Sequence, residues 1–335
     1  MKAIVYEKYG PPDGLELKEV EKPIPKDNEV LVEVDAASVN DWDWGLLRGK
    51  PFVNRLAVSG LLKPKIKILG GDIAGRVEAV GRNIKQFQPG DEVFGDLSGC
   101  GFGAFAEFVC ARENALVLKP ASMTFEEAAA IPQGGVLALW GLRDKGKIQP
   151  GQKVLINGAG GGAGTFAVQI AKSFGAEVTG VDSTRKLDIM RSIGADHVID
   201  YTQEDFTKNG QYYDWILDFA GYHSIVSYSR ALSPKGIYVM VGGSAAIFLQ
   251  ILFLGPLISM IGNKKMGLLM HKPNKGLDFV KELFEAGKVR PIIDKCYPLS
   301  EVPEALRYFG KGHNRGKIVI TVRHNDKPDN LGVHS

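Results

Sequence analysis

A chain of 335 residues has room for about two domains of roughly 100–200 residues each, and 44% apolar against 24% charged residues is an ordinary globular balance. A net charge of +3, with Lys and Arg dispersed, makes no electrostatic case for nucleic acid or an anionic membrane surface. Three cysteines (Cys100, Cys110 and Cys296) are too few and too scattered for a disulfide framework or a four-ligand structural zinc site, and they fit a reducing, cytoplasmic setting.

Residues 1–7 lack the apolar region and cleavage site of a signal peptide and read as a first strand. The chain continues β-rich. Strands are expected over 2–6, 15–20 and 29–37, separated by Gly10-Pro11-Pro12-Asp13-Gly14 and Lys26-Asp27-Asn28. Shorter strands follow at 74–80, 92–94 and 104–110. Near Ser122 the texture changes. Thr124, with Glu127 three residues on, is a capping box that opens a helix, and a second helical stretch runs from Pro132 to Leu142.

From Lys153 the pattern alternates. Strands are expected at 153–157, 177–182, 197–199, 214–219 and 236–241, with helices at 163–174, 185–193 and near 203–208. Such alternation implies a parallel sheet with right-handed crossovers. The run Ala245–Ile261, AAIFLQILFLGPLISMI, is apolar but shorter than the roughly 20 residues a span requires, and it is interrupted by Gly255-Pro256. It reads as a buried or interface helix pair. Helices at 275–286 and 301–309 and a strand at 317–322 close the fold, and the polar tail 324–335 is expected to fray. The fold class is α/β. A β-rich unit of residues 1–122, completed by 272–335, encloses an inserted doubly wound Rossmann unit of residues 123–271.

The strongest signal is Asn157-Gly158-Ala159-Gly160-Gly161-Gly162-Ala163-Gly164, a glycine loop between an apolar strand and a helix. Read as A-x-G-x-x-G, its key positions are Ala159, Gly161 and Gly164. Glycine permits the tight turn, the approach of backbone to a pyrophosphate and close helix–strand packing, and the helix N-terminus presents free N–H groups to phosphate. A second strand ends about 20 residues on, at Asp182. An acid there suits the adenosine ribose of NAD and opposes a 2′-phosphate, whereas the adjoining Ser183, Thr184, Arg185 and Lys186 suit a phosphate. These residues alone leave NAD and NADP both open.

Together with Ala37-Ser38-Val39-Asn40, Gly70-Gly71-Asp72-Ile73-Ala74-Gly75, Pro89-Gly90-Asp91-Glu92-Val93-Phe94-Gly95 and Gly194-Ala195-Asp196, this loop resembles the medium-chain dehydrogenase/reductase superfamily. The likeness is to its zinc-independent quinone oxidoreductase (zeta-crystallin-like) and enone reductase branch, and it extends over about residues 1–323. It implies a GroES-like catalytic domain carrying the inserted Rossmann domain. Asn40 stands where the zinc enzymes carry a catalytic Cys, and Gly71-Asp72 where they carry His-Glu, so the resemblance implies no zinc. In NADPH-dependent alkenal reductases the 2′-phosphate is held by a Ser, a Lys three residues later and a Tyr fifteen beyond; Ser183, Lys186 and Tyr201 keep that spacing. NADPH is therefore favoured, with NADH open. By position the resemblance adds Gly162, Ala163, Ala220, Val241, Gly242 and Lys317 to the cofactor contacts. It also implies a homodimer paired through a strand near 266–271.

Without a metal, the accessible chemistry is hydride delivery to a carbon that is already electrophilic, as in a quinone or an α,β-unsaturated carbonyl. Asn40 is the candidate donor to the substrate oxygen or to the nicotinamide ribose. Asp43 matches the branch's Val-Asn-x-x-Asp pattern and is a second catalytic candidate, with pairing to Arg48 as the alternative. Leu137 stands where relatives often carry Thr. The six histidines, at 197, 223, 271, 313, 324 and 334, show no ligand spacing and read as structural or surface groups. The segment 245–261 is expected to wall the substrate pocket through Phe248, Leu249, Phe253 and Leu254, or to form the dimer contact. Competing readings are a reductase of another carbonyl substrate and a non-enzymatic NADPH-binding redox sensor.

Overall fold

A computed structural model describes residues 1–322 except 53–54, 57–59, 146 and 262. The expected fraying of 324–335 lies outside the described residues.

The N-terminal part begins with an antiparallel ribbon of β1 (Lys2–Val5) and β2 (Glu16–Glu19). The 11-residue β3 (Glu29–Val39) is the centre of a seven-stranded sheet, and its buried Val30, Val32 and Val34 point into one core. Chain reversal after β3 is made by α1 (Asp41–Arg48). Asn40 and Asp43 form its capping box, and Gly49 ends it at φ 59°, where glycine pays no Cβ penalty. Next come β4 (Asp72–Val80), β5 (Glu92–Asp96), β6 (Phe108–Arg112) and β7 (Val117–Leu118). The expected capping box opens α2 (Phe125–Ala130): Glu127 N–H donates to Thr124 Oγ1 at 3.1 Å and Thr124 N–H to Glu127 at 2.9 Å. Then α3 (Pro132–Leu139) leads into the alternating unit.

That unit runs β8 (Lys153–Asn157), α4 (Gly164–Ser173), β9 (Glu177–Asp182), α5 (Leu187–Ser192), β10 (His197–Asp200), β11 (Tyr213–Asp218), α6 (Ile225–Ala231), β12 (Leu232–Met240), α7 (Ala245–Ile261) and β13 (Lys265–Leu268). Its six strands are all parallel, in the order β10-β9-β8-β11-β12-β13. The winding reverses between β8 and β11, which opens a crevice at the strand ends where ligands of such sheets bind. The chain returns through α8 (Leu277–Glu285), β14 (Ile293–Pro298), α9 (Val302–Gly310) and β15 (Lys317–Thr321). Antiparallel pairing of β15 with β3 matches Ile318 with Val39 and completes the order β14-β15-β3-β4-β5-β7, with β6 on β3.

Three expectations need correction. Residues 203–208 form turns, because the Asp200 and Asp205 carboxylates accept from the Thr202 and Thr207 N–H groups at 3.0 and 2.9 Å. These local bonds compete with helix formation. Residues 245–261 form one helix rather than a pair. Pro256 sits on its exposed side, where water can serve the carbonyl that the missing N–H abandons. The strand expected at 104–110 forms only at 108–112, and α1, β7, α6 and β14 were not anticipated.

Candidate active site

The two sheets face each other across a cleft of about 1100 Å³. One wall is the glycine loop. After β8 the chain turns at Gly158, with φ 82°. A Cβ on Gly164 would lie 2.0 Å from the Gly158 carbonyl oxygen, so only glycine lets α4 start this close to β8. A Cβ on Gly161 would meet nothing nearer than that same oxygen at 3.3 Å; here the missing side chain leaves open space in the cleft. Gly162, Ala163 and Gly164 line the cleft beside it; in the first turn of α4, Thr165 N–H donates to the Gly161 carbonyl and Ala167 N–H to that of Ala163. This cradle fits a dinucleotide pyrophosphate. Ala159 is fully buried under the loop, and its N–H donates to Val181.

Asp182 ends β9 and fastens the loop. Its carboxylate accepts from Gly160 N–H at 3.0 Å and Ser183 N–H at 2.8 Å, and Lys186 Nζ lies 3.7 Å away. The Lys186 stem crosses Gly160, where a Cβ would come within 2.6 Å of it. Lys186 and Tyr201 line the cleft with Asp182; Ser183 stands next to it, and the Thr184 hydroxyl is turned away to donate to Asp200. On the other flank lie Phe219, Ala220, Val241, Gly242 and Gly243. The 219–221 turn is braced by Asp218, which sequence reading missed. Its buried carboxylate accepts from Asn157 Nδ2 and Tyr238 OH at 2.8 Å each, and burial pushes its pKa up. An acid closing an apolar strand beside the glycine loop was the available signal.

The other wall carries buried charge. Asn40, 6% exposed, accepts from Lys317 Nζ at 2.5 Å through Oδ1 and donates from Nδ2 to Asp72 at 3.0 Å. Its amide is thus largely committed, and Lys317 is the richer donor. Asp72 also accepts from Ser38 Oγ and Gln133 N–H, and Lys317 Nζ is 3.5 Å from it. Burial raises the Asp72 carboxyl to about 6; Lys317 pulls it down and Asp96 pushes it further up. Asp43 lines no part of the cleft. Both of its oxygens are taken by backbone, from Asn40 N–H at 2.9 Å and Gly70 N–H at 2.8 Å, so its geometry is that of a cap that orients Asn40. Arg48 stacks on Trp44 instead of pairing with it.

His271, which the sequence left among the structural histidines, lines the cleft and places Nε2 2.6 Å from Asp96. Burial raises the Asp96 carboxyl, but His271 and Ser98 outweigh it and hold the pKa below the ordinary value. Asn274 clamps the Asp96 backbone at 2.7 and 2.8 Å. None of Phe248, Leu249, Phe253 and Leu254 lines the cleft; all four are exposed, and the expected pocket wall is instead supplied by Trp42, Trp44, Leu137, Leu269 and Met270. The donor set does not fit zinc. The Asn40 amide meets the Asp72 carboxylate and the Lys317 ammonium, the nearby Asp43 carboxylate is spent on backbone N–H groups, and among the described residues no three His, Cys, Asp or Glu side chains gather to hold a metal.

A β-rich sheet sharing one cleft with a doubly wound sheet defines a two-unit dinucleotide-binding architecture. Residues 26–121 match the model of the alcohol dehydrogenase GroES-like domain, and residues 193–320 that of the zinc-binding dehydrogenases. The chain is 33% identical over 333 residues to a chloroplast envelope quinone oxidoreductase homologue of Arabidopsis thaliana, covering 96% of this chain and 98% of the relative. It is 34% identical over 358 residues to a mitochondrial NAD(P)H oxidoreductase of Mus musculus, covering 96% and 89%. The quinone oxidoreductase structure from Coxiella burnetii superposes with a TM-score of 0.86 at 30% identity, covering 96% of this chain and 99% of that one. The chain belongs to the medium-chain dehydrogenase/reductase superfamily and is an oxidoreductase.

Proposed function

We propose that this chain uses NADPH to reduce a hydrophobic quinone or α,β-unsaturated carbonyl without zinc. The observation that carries the reading is the shared cleft: an anion cradle at Gly161–Gly164 opens directly onto a pocket of aromatic and aliphatic side chains. Bound there, the cofactor supplies hydride. The protein supplies orientation and, through Lys317 and Asn40, positive charge toward a developing oxyanion. NADPH over NADH is supported by Lys186 and Tyr201 beside the loop, and by the engagement of Asp182 with loop N–H groups, which leaves less of its charge to oppose a phosphate. The division into 1–122 with 272–335 and 123–271 is supported by the membership of the two sheets.

The partner we propose is a second copy. β13 is an edge strand, and α7 beside it exposes Leu252, Phe253, Leu257 and Met260, a contiguous apolar surface that an isologous pairing covers. No helix among the described residues is long and apolar enough to cross a membrane. A cytoplasmic site is supported by three free cysteines.

The test is Gly161→Val. Its branched side chain fills the cradle, so NADPH affinity measured by calorimetry should fall by about a hundredfold, or about 2.7 kcal/mol. Wild type should oxidise NADPH with quinones and enones of graded chain length. Unchanged affinity in the variant would remove the cofactor assignment.

A further inference from the structure

We propose that the loop between α1 and β4 docks this protein on an anionic lipid bilayer, with Phe52, Leu56, Leu61 and Leu62 entering the interface and Lys50, Lys63, Lys65 and Lys67 meeting the headgroups. The inference goes beyond the reading of the cleft, and only its consequence for substrate supply rests on that reading.

Three observations carry it. The first is charge. The net charge of +3 over the whole chain hides a local concentration: residues 50–67 hold Lys50, Arg55, Lys63, Lys65 and Lys67 and not one Asp or Glu. Arg55 is used within the loop, donating from Nε to the Gly49 carbonyl at 3.0 Å and stacking on the Tyr9 ring at 4.3 Å. The four lysines are exposed, and among the described residues none has a salt-bridge partner, whereas Lys22, Lys119 and Lys172 elsewhere are paired with carboxylates. A cation with no partner of its own is available to an anionic surface, where each adds about fivefold to partitioning.

The second observation is shape. Gly60 takes φ 100°, and a Cβ there would lie 2.5 Å from the Lys63 carbonyl oxygen, so the chain turns tightly at 60–63 with Leu61 and Leu62 at the tip. The base of the turn is fastened. Tyr9 OH donates to the Gly60 carbonyl at 2.5 Å, Gly60 N–H donates to Arg55 at 2.9 Å, Arg55 N–H donates to Phe52 at 3.0 Å, and Pro64 and Leu69 are buried. Leu62 is nonetheless 87% exposed, Leu56 65% and Phe52 58%. Apolar side chains held outward on a fastened turn, among unpaired ammoniums, match a lipid interface, where the apolar groups sink to the acyl boundary and the cations stay at headgroup level. A nucleic acid would engage the cations and leave the leucines in water.

The third observation is place. Lys50 and Pro51 line the cleft, and the exposed Phe52 follows directly, so the apolar, basic loop adjoins the site. A hydrophobic quinone or enone dissolves in the bilayer, and docking through this loop brings the cleft to its supply.

Cosedimentation of the full chain with phosphatidylcholine vesicles, with and without phosphatidylserine, tests the proposal. Wild type should bind the phosphatidylserine vesicles about a hundredfold more tightly, and added salt should release it. Combining Lys63→Gln, Lys65→Gln and Lys67→Gln should weaken that binding by about 10²-fold and leave turnover of a water-soluble quinone unchanged. Leu62→Ser should weaken it by about tenfold. Wild type that binds neither vesicle, or a triple variant that binds as wild type does, would overturn the proposal. So would heparin binding as tight as vesicle binding with Leu62→Ser changing neither, which would make the loop a general anion surface. A Leu62→Ser variant that keeps its vesicle affinity but loses self-association would assign the tip to a second copy and overturn it too. The vesicle assay uses neither cofactor nor substrate, so its failure leaves the reading of the cleft intact, and wild type that binds vesicles but not NADPH counts against the cleft alone.

Discussion

The two walls of the cleft are built on opposite plans. The glycine loop is local: residues 157–164 plus Asp182 and Lys186, shaped by close backbone packing and held by short-range bonds. The facing wall is assembled from across the chain. Lys317 reaches Asn40 over 277 residues and His271 reaches Asp96 over 175. Its working groups are ionisable side chains under the surface. A shaped backbone loop with one ammonium beside it suffices to hold an anion that arrives with its own charge. A wall that must meet charge created during a reaction has to store charge beforehand, and burial makes that storage costly.

The contrast predicts where substitutions hurt most. Lys317→Met strips the cation from a buried carboxylate pair and should destabilise the fold by about 3–5 kcal/mol. Adding Asp72→Leu should recover most of it, because the uncompensated charge goes too. Urea denaturation of wild type, single and double variants reads both effects. A loss under about 1 kcal/mol, in the range of an exposed pair, would erase the difference between the walls.

On the loop side the penalty should fall on binding alone. Lys186→Ala should weaken NADPH by about 1–3 kcal/mol, the range of a charge-assisted hydrogen bond, and leave NADH nearly unchanged. Paired titrations with the two cofactors measure this. Equal losses for both would make Lys186 a support for Asp182 and Gly160 rather than a phosphate contact.

Asp43 sharpens the comparison through pH. Burial raises its carboxyl from 3.8 to about 7, against the pull of the Asn40 and Gly70 N–H groups. Its native pKa lies above the unfolded one, so the native state binds more protons in that interval. The contribution to stability is complete below about pH 4 and is lost as pH rises toward 7. Asp43→Asn should remove this dependence. The wild-type advantage over the variant should then shrink with pH by up to about 1.4 kcal/mol per unit across that window. A pH-independent difference would place the Asp43 proton elsewhere.

How legible each wall was in the sequence follows from the same contrast. The strand–glycine–helix signal, the alternation after Lys153 and the Thr124–Glu127 cap rest on neighbours a few residues apart, and each appears in the structure near its expected place. The pairings of Asp72 and His271 depend on β4–β5 register and on the chain returning after β13, which no local window contains. Asp43 shows a related limit: the motif marked it as a catalytic candidate, and only the structure shows its two oxygens bonded to backbone N–H groups.

The smallest effect is expected at α7, where the sequence was most misleading. An apolar run after the fifth parallel strand suggested a pocket wall or a dimer contact, and hydrophobicity without amphipathic pattern does not say which side a helix buries. The inner side of α7 packs Ile247 and Ile251 against the sheet, whereas Phe253 is 67% exposed and Met260 82%. Phe253→Ala should therefore change monomer stability by no more than about 0.5 kcal/mol and leave the rise of kcat/KM with enone chain length unchanged. Phe253→Asp should shift sedimenting mass from dimer toward monomer, since it puts a charge into the surface that the second copy would cover. A flattened chain-length trend in Phe253→Ala would return the helix to the substrate, and a wild type that sediments as a monomer at every concentration would leave its apolar side for another partner.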